Sequence, residues 1–102
     1  PNQQQNKGGG YMHLRQKRVA IAIQQQLGMI LCKHPDLQFV SIMHVDLSEN
    51  LQRAKVYVSS LKPRDQKELM DTLFALKGHM MKNLAESLHM KRMPKIKFYC
   101  VT

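Results

Sequence analysis

Residues 40–59, VSIMHVDLSENLQRAKVYVS, constrain this chain more than any other stretch. Two apolar–polar alternating runs flank a short polar segment, Ser48–Arg53. A period of two places alternate side chains on one face of a strand, and a short polar break joins two such runs as an antiparallel hairpin. In the second run Ala54, Val56 and Val58 point one way and Lys55, Tyr57 and Ser59 the other. The first run slips phase. Val40 and Ile42 share one face, Val45 and Leu47 share one face, and the two pairs differ by one residue. A β-bulge near Met43-His44 restores a common face. A hairpin with one apolar face needs a layer to cover it.

The rest of the chain supplies that layer. Val19, Ile23, Leu27, Ile30 and Leu31 recur at helical spacing, predicting a helix over 14–33 that ends at His34-Pro35-Asp36. Lys62-Pro63-Arg64-Asp65 opens a second helical region, with Asp65 and Glu68 spaced as a capping box. Leu69, Leu73, Leu76, Met80, Leu84 and Leu88 continue at helical spacing to about Met90. Gly78 interrupts the middle, and the reading favoured is two helices meeting there at a kink. Met93-Pro94 stops the run, and a third strand follows over 95–101, with Ile96, Phe98 and Cys100 alternating against Lys95, Lys97 and Tyr99. The expected architecture is α+β: a three-stranded sheet with helices on one face, its second and third strands parallel through a helical crossover.

A chain of 102 residues makes one domain. Residues 1–12 are rich in Gln, Asn and Gly and too polar to order themselves. They are expected to be a disordered tail, either a processed end or a cloning scar, with the domain over 13–102. Gly8–Gly10 do not make a phosphate loop, because no strand precedes them and no Gly-Lys-Ser/Thr follows. No signal-peptide h-region and no membrane-length apolar run are present. Cys32 and Cys100 are read as reduced, buried or half-buried apolar residues, which points to the cytoplasm.

Sixteen basic residues against seven acidic give a net charge of +9. Residues 1–33, 34–71 and 72–102 carry +5, −1 and +5 in turn. Two basic ends flank a neutral middle, the pattern expected of a domain that meets a phosphate backbone once folding brings the ends together. No catalytic set stands out. The five histidines lack metal-ligand spacing, there is no Cys-x-x-Cys and no Gly-x-Ser-x-Gly, and His44 beside Asp46 is ordinary same-face strand spacing. No enzyme, metal or cofactor is expected. Of the eight methionines, Met80, Met81, Met90 and Met93 cluster on the second helical region and its end, read chiefly as core.

The candidate RNA-binding residues are therefore basic. Arg15, Lys17 and Arg18 lie on the first turns of the first helix; Lys77, Gly78 and Lys82 surround the expected kink; Lys91, Arg92, Lys95 and Lys97 surround the start of the third strand; and Lys55 stands on the hairpin. A kink at Gly78 frees backbone N–H groups at a helix N-terminus, where phosphate binds.

The element order αββ(α-kink-α)β is similar to a type II KH domain, an RNA-binding fold. The Gly-x-x-Gly signature of that fold is absent, since Gly78 is followed by His79, Met80 and Met81. The chain more closely resembles the ribosome-binding factor A family over about residues 15–99. The resemblance rests on Arg18-Val19 and Ile30-Leu31, on His34-Pro35-Asp36-Leu37, and above all on Val45-Asp46-Leu47-Ser48, Leu51 and Ala54-Lys55-Val56-Tyr57-Val58-Ser59; Gly78, Leu84, Leu88, Pro94 and Phe98 close it. Where the family commonly has Ala-x-Gly, this chain has Leu76-Lys77-Gly78. Many members also carry a charged tail after the third strand, so here the tail is expected to be short, absent or removed.

The resemblance implies a non-enzymatic, cytoplasmic assembly factor that binds the free small ribosomal subunit through rRNA and assists processing of the rRNA precursor. It also implies a role in growth in the cold and release with the help of a ribosome-assembly GTPase. A lone basic domain with no heptad pattern is expected to be a monomer. The competing reading is a ferredoxin-like protein-interaction module without nucleic-acid binding, using the methionine-rich helix and the sheet edge.

Overall fold

The structure is a computed structural model that describes residues 7–62 and 65–101, with side chains described from residue 14 onward. Helix α1 spans Lys7–Lys33, a single 3-10 turn Pro35–Leu37, strand β1 Val40–Leu47, β2 Arg53–Ser60, helix α2 Gln66–Leu88 and β3 Lys95–Cys100. The sheet order is β1-β2-β3, antiparallel between β1 and β2 and parallel between β2 and β3.

The hairpin has the anticipated register. Val45 faces Val56 and Leu47 faces Ala54, and the ladder shifts between Ile42 and His44. Met43 is the bulged residue, so Val40 on one side of it and Val45 on the other both turn inward and are buried. At the turn, Ser48 Oγ accepts from the N–H groups of Gln52 and Arg53 at 3.2 and 3.0 Å. These contacts occupy donors that the polar connection would otherwise leave to water.

Both helices cover the face formed by Val45, Leu47, Ala54, Val56, Val58, Ile96 and Phe98. Ile23, Leu27 and Leu31 from α1 and Leu69, Leu73, Met80 and Leu84 from α2 complete the core, which contains no buried polar side chain among the described residues. The N-terminal half of α2 lies beside β3 and its C-terminal half beside the end of α1.

Several details differ from the sequence-based expectation. Helix α1 begins at Lys7, not residue 14, so part of the segment assigned to a disordered tail is helical backbone. Once the packed face over 19–31 has nucleated the helix, each further residue adds one hydrogen bond, and this offsets the poor propensity of Gly8–Gly10. Residues 1–6, Pro63, Arg64 and Thr102 lie outside the described residues. Helix α2 is one unbroken helix through Gly78 and not two helices at a kink, so the element order is αββαβ. A mid-helix glycine costs only about 1 kcal/mol, less than the burial of Leu73 and Met80 on either side of it returns. Asp65 caps α2 as expected, accepting from Lys67 N at 3.1 Å. Cys32 is exposed and Cys100 half-buried; Cys32 follows Leu31 on α1, about 100° around from the buried stripe.

Candidate nucleic-acid interface

Parallel pairing of β2 and β3 builds a basic surface from residues distant in the sequence. Arg53 stands opposite Lys95 and Lys55 opposite Lys97, because β3 enters the sheet with its first residue level with the first residue of β2. The N–H of Lys95 donates to the carbonyl oxygen of Gln52 at 2.8 Å and sets that level. Alternation along both strands then turns all four basic side chains away from the helices, and all four are exposed.

At the β3 edge these strands border a cleft of about 690 Å³ against α2. Its helical wall is Met70, Phe74 and Lys77, spaced i, i+4, i+7 on one face of α2, with Asp71 beside them. The strand wall wraps around the β3 edge, with Arg53, Lys55, Lys95, Lys97 and Tyr99 from the outer face and Ala54, Ile96 and Phe98 from the inner one. Five cations thus border a cleft with one acid, and that acid, Asp71, is 3.5 Å from Lys67 Nζ. Phe74 is 76% exposed, an aromatic ring held beside the cations by a helix whose buried stripe passes through its neighbour Leu73.

Of the residues singled out from sequence, Lys55, Lys77, Lys95 and Lys97 come together here. Lys82 does not; it projects about 140° around α2 from Lys77. The backbone of Gly78 is helical and its N–H lies within α2 and not at a helix N-terminus, which removes the local geometry on which the expected phosphate contact rested. Arg15, Lys17 and Arg18 are exposed on α1. Gln16 Nε2 donates to the carbonyl oxygen of Leu47, and Leu47, Ala54 and Ile96 are cross-strand neighbours. The two basic ends of the chain therefore meet at one end of the sheet, with Lys91 and Arg92 exposed in the approach to β3, though not within one cleft.

Arg53 and Phe74 escaped the sequence reading. Arg53 sits in the neutral middle of the chain, and only the parallel register carries it to Lys95. Phe74 had a signal available, an aromatic residue outside the buried stripe of its helix.

A second cavity of about 450 Å³ lies between α1 and α2, lined by Met29, Ile30, His34, Leu76, His79 and Met80 among others. His79 Nε2 and Asn83 Nδ2 are 3.2 Å apart there. Met80 is buried and Met81 half-buried, so these methionines serve the core. Among the described residues no group of three or more His, Cys, Asp or Glu side chains could hold a metal ion, and no helix is long and apolar enough to cross a membrane.

Fold and site together define a small basic α+β domain with a cationic cleft, of the kind that meets a polyanion. The family model for ribosome-binding factor A matches residues 15–100. The chain is 33% identical over 88 residues to ribosome-binding factor A of Coprothermobacter proteolyticus, a match covering 83% of this chain and 64% of that protein. The chain therefore spans just under two thirds of that relative's length. The crystal structure of ribosome-binding factor A from Thermus thermophilus superposes with a TM-score of 0.74 at 20% identity, covering 83% of this chain and 93% of that one. A homology model of the Thermus thermophilus factor, fitted into a cryo-electron-microscopy map of a 30S complex, gives 0.66 at 19% identity over 76% and 86% of the two chains. The chain belongs to the ribosome-binding factor A family.

Proposed function

We propose that this protein is a ribosome assembly factor that binds the free small subunit through rRNA, assists late maturation and precursor processing, and catalyses no reaction. The observation that carries the proposal is the cleft at the β3 edge, where Arg53, Lys55, Lys77, Lys95 and Lys97 converge beside the exposed ring of Phe74. Clustered cations neutralise phosphates and release condensed counterions, and an adjacent ring adds a surface for bases. Family membership and the 30S complex of the Thermus thermophilus relative support the choice of partner. Action as a cytoplasmic monomer and release by a ribosome-assembly GTPase belong to the same proposal.

Sedimentation of a cell extract on a sucrose gradient tests it. The protein is expected with free small subunits and not with translating ribosomes; an even spread over all fractions refutes it. With purified protein and rRNA fragments, contact of about five phosphates by the cleft predicts log affinity falling against log salt with a slope of about −3.5 for single strands.

A further inference from the structure

On the sheet face away from the helices, one aromatic row crosses all three strands. His44 is level with Tyr57, and Tyr57 with Tyr99. The ring centroids are 6.0 and 5.4 Å apart and the planes 28° and 26° from parallel. These values lie in the range of offset-stacked aromatic pairs, so the three rings form a short continuous stack.

A stack of rings has two ends, and here they differ in charge. At the β1 end His44 has Asp46 two residues along the same strand face, a carboxylate that repels phosphate. At the β3 end Tyr99 borders the cleft with Lys95 and Lys97. Lys97 Nζ lies 5.7 Å from the centre of the Tyr99 ring. The β3 strand is the last of the sheet, so no further strand covers that end of the row. Tyr57 backs Tyr99 from the other side and holds its ring in place before any ligand arrives, which lowers the ordering cost of binding.

We infer that Tyr99 is a base-stacking residue: an unpaired base of single-stranded RNA continues the stack beyond Tyr99, while Lys97 and Lys95 meet the phosphates on either side of it. The inference rests on the rRNA-binding reading above and adds the form of RNA recognised. Duplex RNA does not satisfy the site, because its bases already stack on one another inside the helix. Sequence preference at this site is weak, since every base presents a π-face.

A short single-stranded RNA carrying 2-aminopurine, a base whose fluorescence falls on stacking, tests the assignment. The full chain is expected to quench the probe on binding. Tyr99→Thr retains a strand-forming side chain, and far-UV circular dichroism confirms that it folds. It is expected to abolish the quench and weaken binding about 5- to 150-fold, the loss of one base–aromatic stack, with the salt slope unchanged. Tyr99→Phe restores both signals. A parent complex that forms without quenching, a Tyr99→Thr variant that binds as tightly as the parent, or equal affinity for a duplex of the same length overturns the stacking assignment. Those outcomes leave cleft binding intact, which is tested separately by Lys95→Glu and Lys97→Glu. A parent protein that binds neither form of RNA overturns both.

Discussion

Gln16 of α1 donates its side-chain N–H to the backbone carbonyl oxygen of Leu47, the last residue of β1. This bond ties the basic third turn of α1, Arg15–Arg18, to the hairpin end where β3 also begins. Gln24 repeats the contact about two turns later, donating to Ile42 O at 3.3 Å. Gln16→Ala leaves the carbonyl without this partner. The expected loss is about 1 kcal/mol of stability, seen as a melting temperature about 4–8 °C lower. Calorimetry of the purified variant measures it.

Gly78→Ala is expected to stabilise the protein. The residue is mid-helix with ordinary helical backbone, and an added Cβ meets nothing within 4 Å. Replacing glycine by alanine in such a position gains about 0.5–1 kcal/mol. RNA affinity should stay the same, because no helix terminus exists at this position to hold phosphate. Chemical denaturation and RNA titration of one variant read both outcomes, and a loss of affinity would restore a role for the Gly78 backbone.

The cations of the cleft should separate from those outside it. Lys97→Gln and Lys77→Gln are each expected to flatten the salt dependence of RNA binding by about 0.7 in slope, one phosphate contact apiece. Lys82→Gln, on another face of α2, should change the slope by much less. Fluorescence anisotropy across a salt series distinguishes the two groups.

His89 ends α2 in the left-handed region, at φ 54° and ψ 36°, with its N–H bonded to Ala85 O at 3.0 Å. Glycine adopts this geometry without the steric penalty that a side chain incurs. His89→Gly should therefore raise stability by about 1 kcal/mol, the left-handed penalty of a side chain, with the helix boundary unchanged. Thermal denaturation checks the gain.

The hairpin was legible in the sequence because one buried face enforces a strict period of two, and even the bulge left a trace as a slip of one residue between Ile42 and Val45. The parallel crossover followed from the long helical link. Gly78 misled, because local propensity is small beside the burial of the residues around it. The composition of the cleft was only half legible. Lys95 and Lys97 alternate visibly with Ile96 and Phe98, but their neighbours Arg53 and Lys55 lie far away in the sequence, on the other side of α2, and the relation exists only once the register is set. The row of His44, Tyr57 and Tyr99 was hidden for the same reason: each ring sits unremarkably on its own strand, and only pairing lines them up.

The position of β3 at the end of the sheet has a further consequence. An edge strand offers unpaired backbone groups to any other extended chain, and unguarded edges seed aggregation. Here the edge bears Lys95 and Lys97 on its solvent face, so a second copy approaching strand to strand meets its own charge. The same two lysines that draw a polyanion toward the cleft thus discourage the protein from adding to itself, and neutralising them would be felt as lost solubility as well as lost affinity.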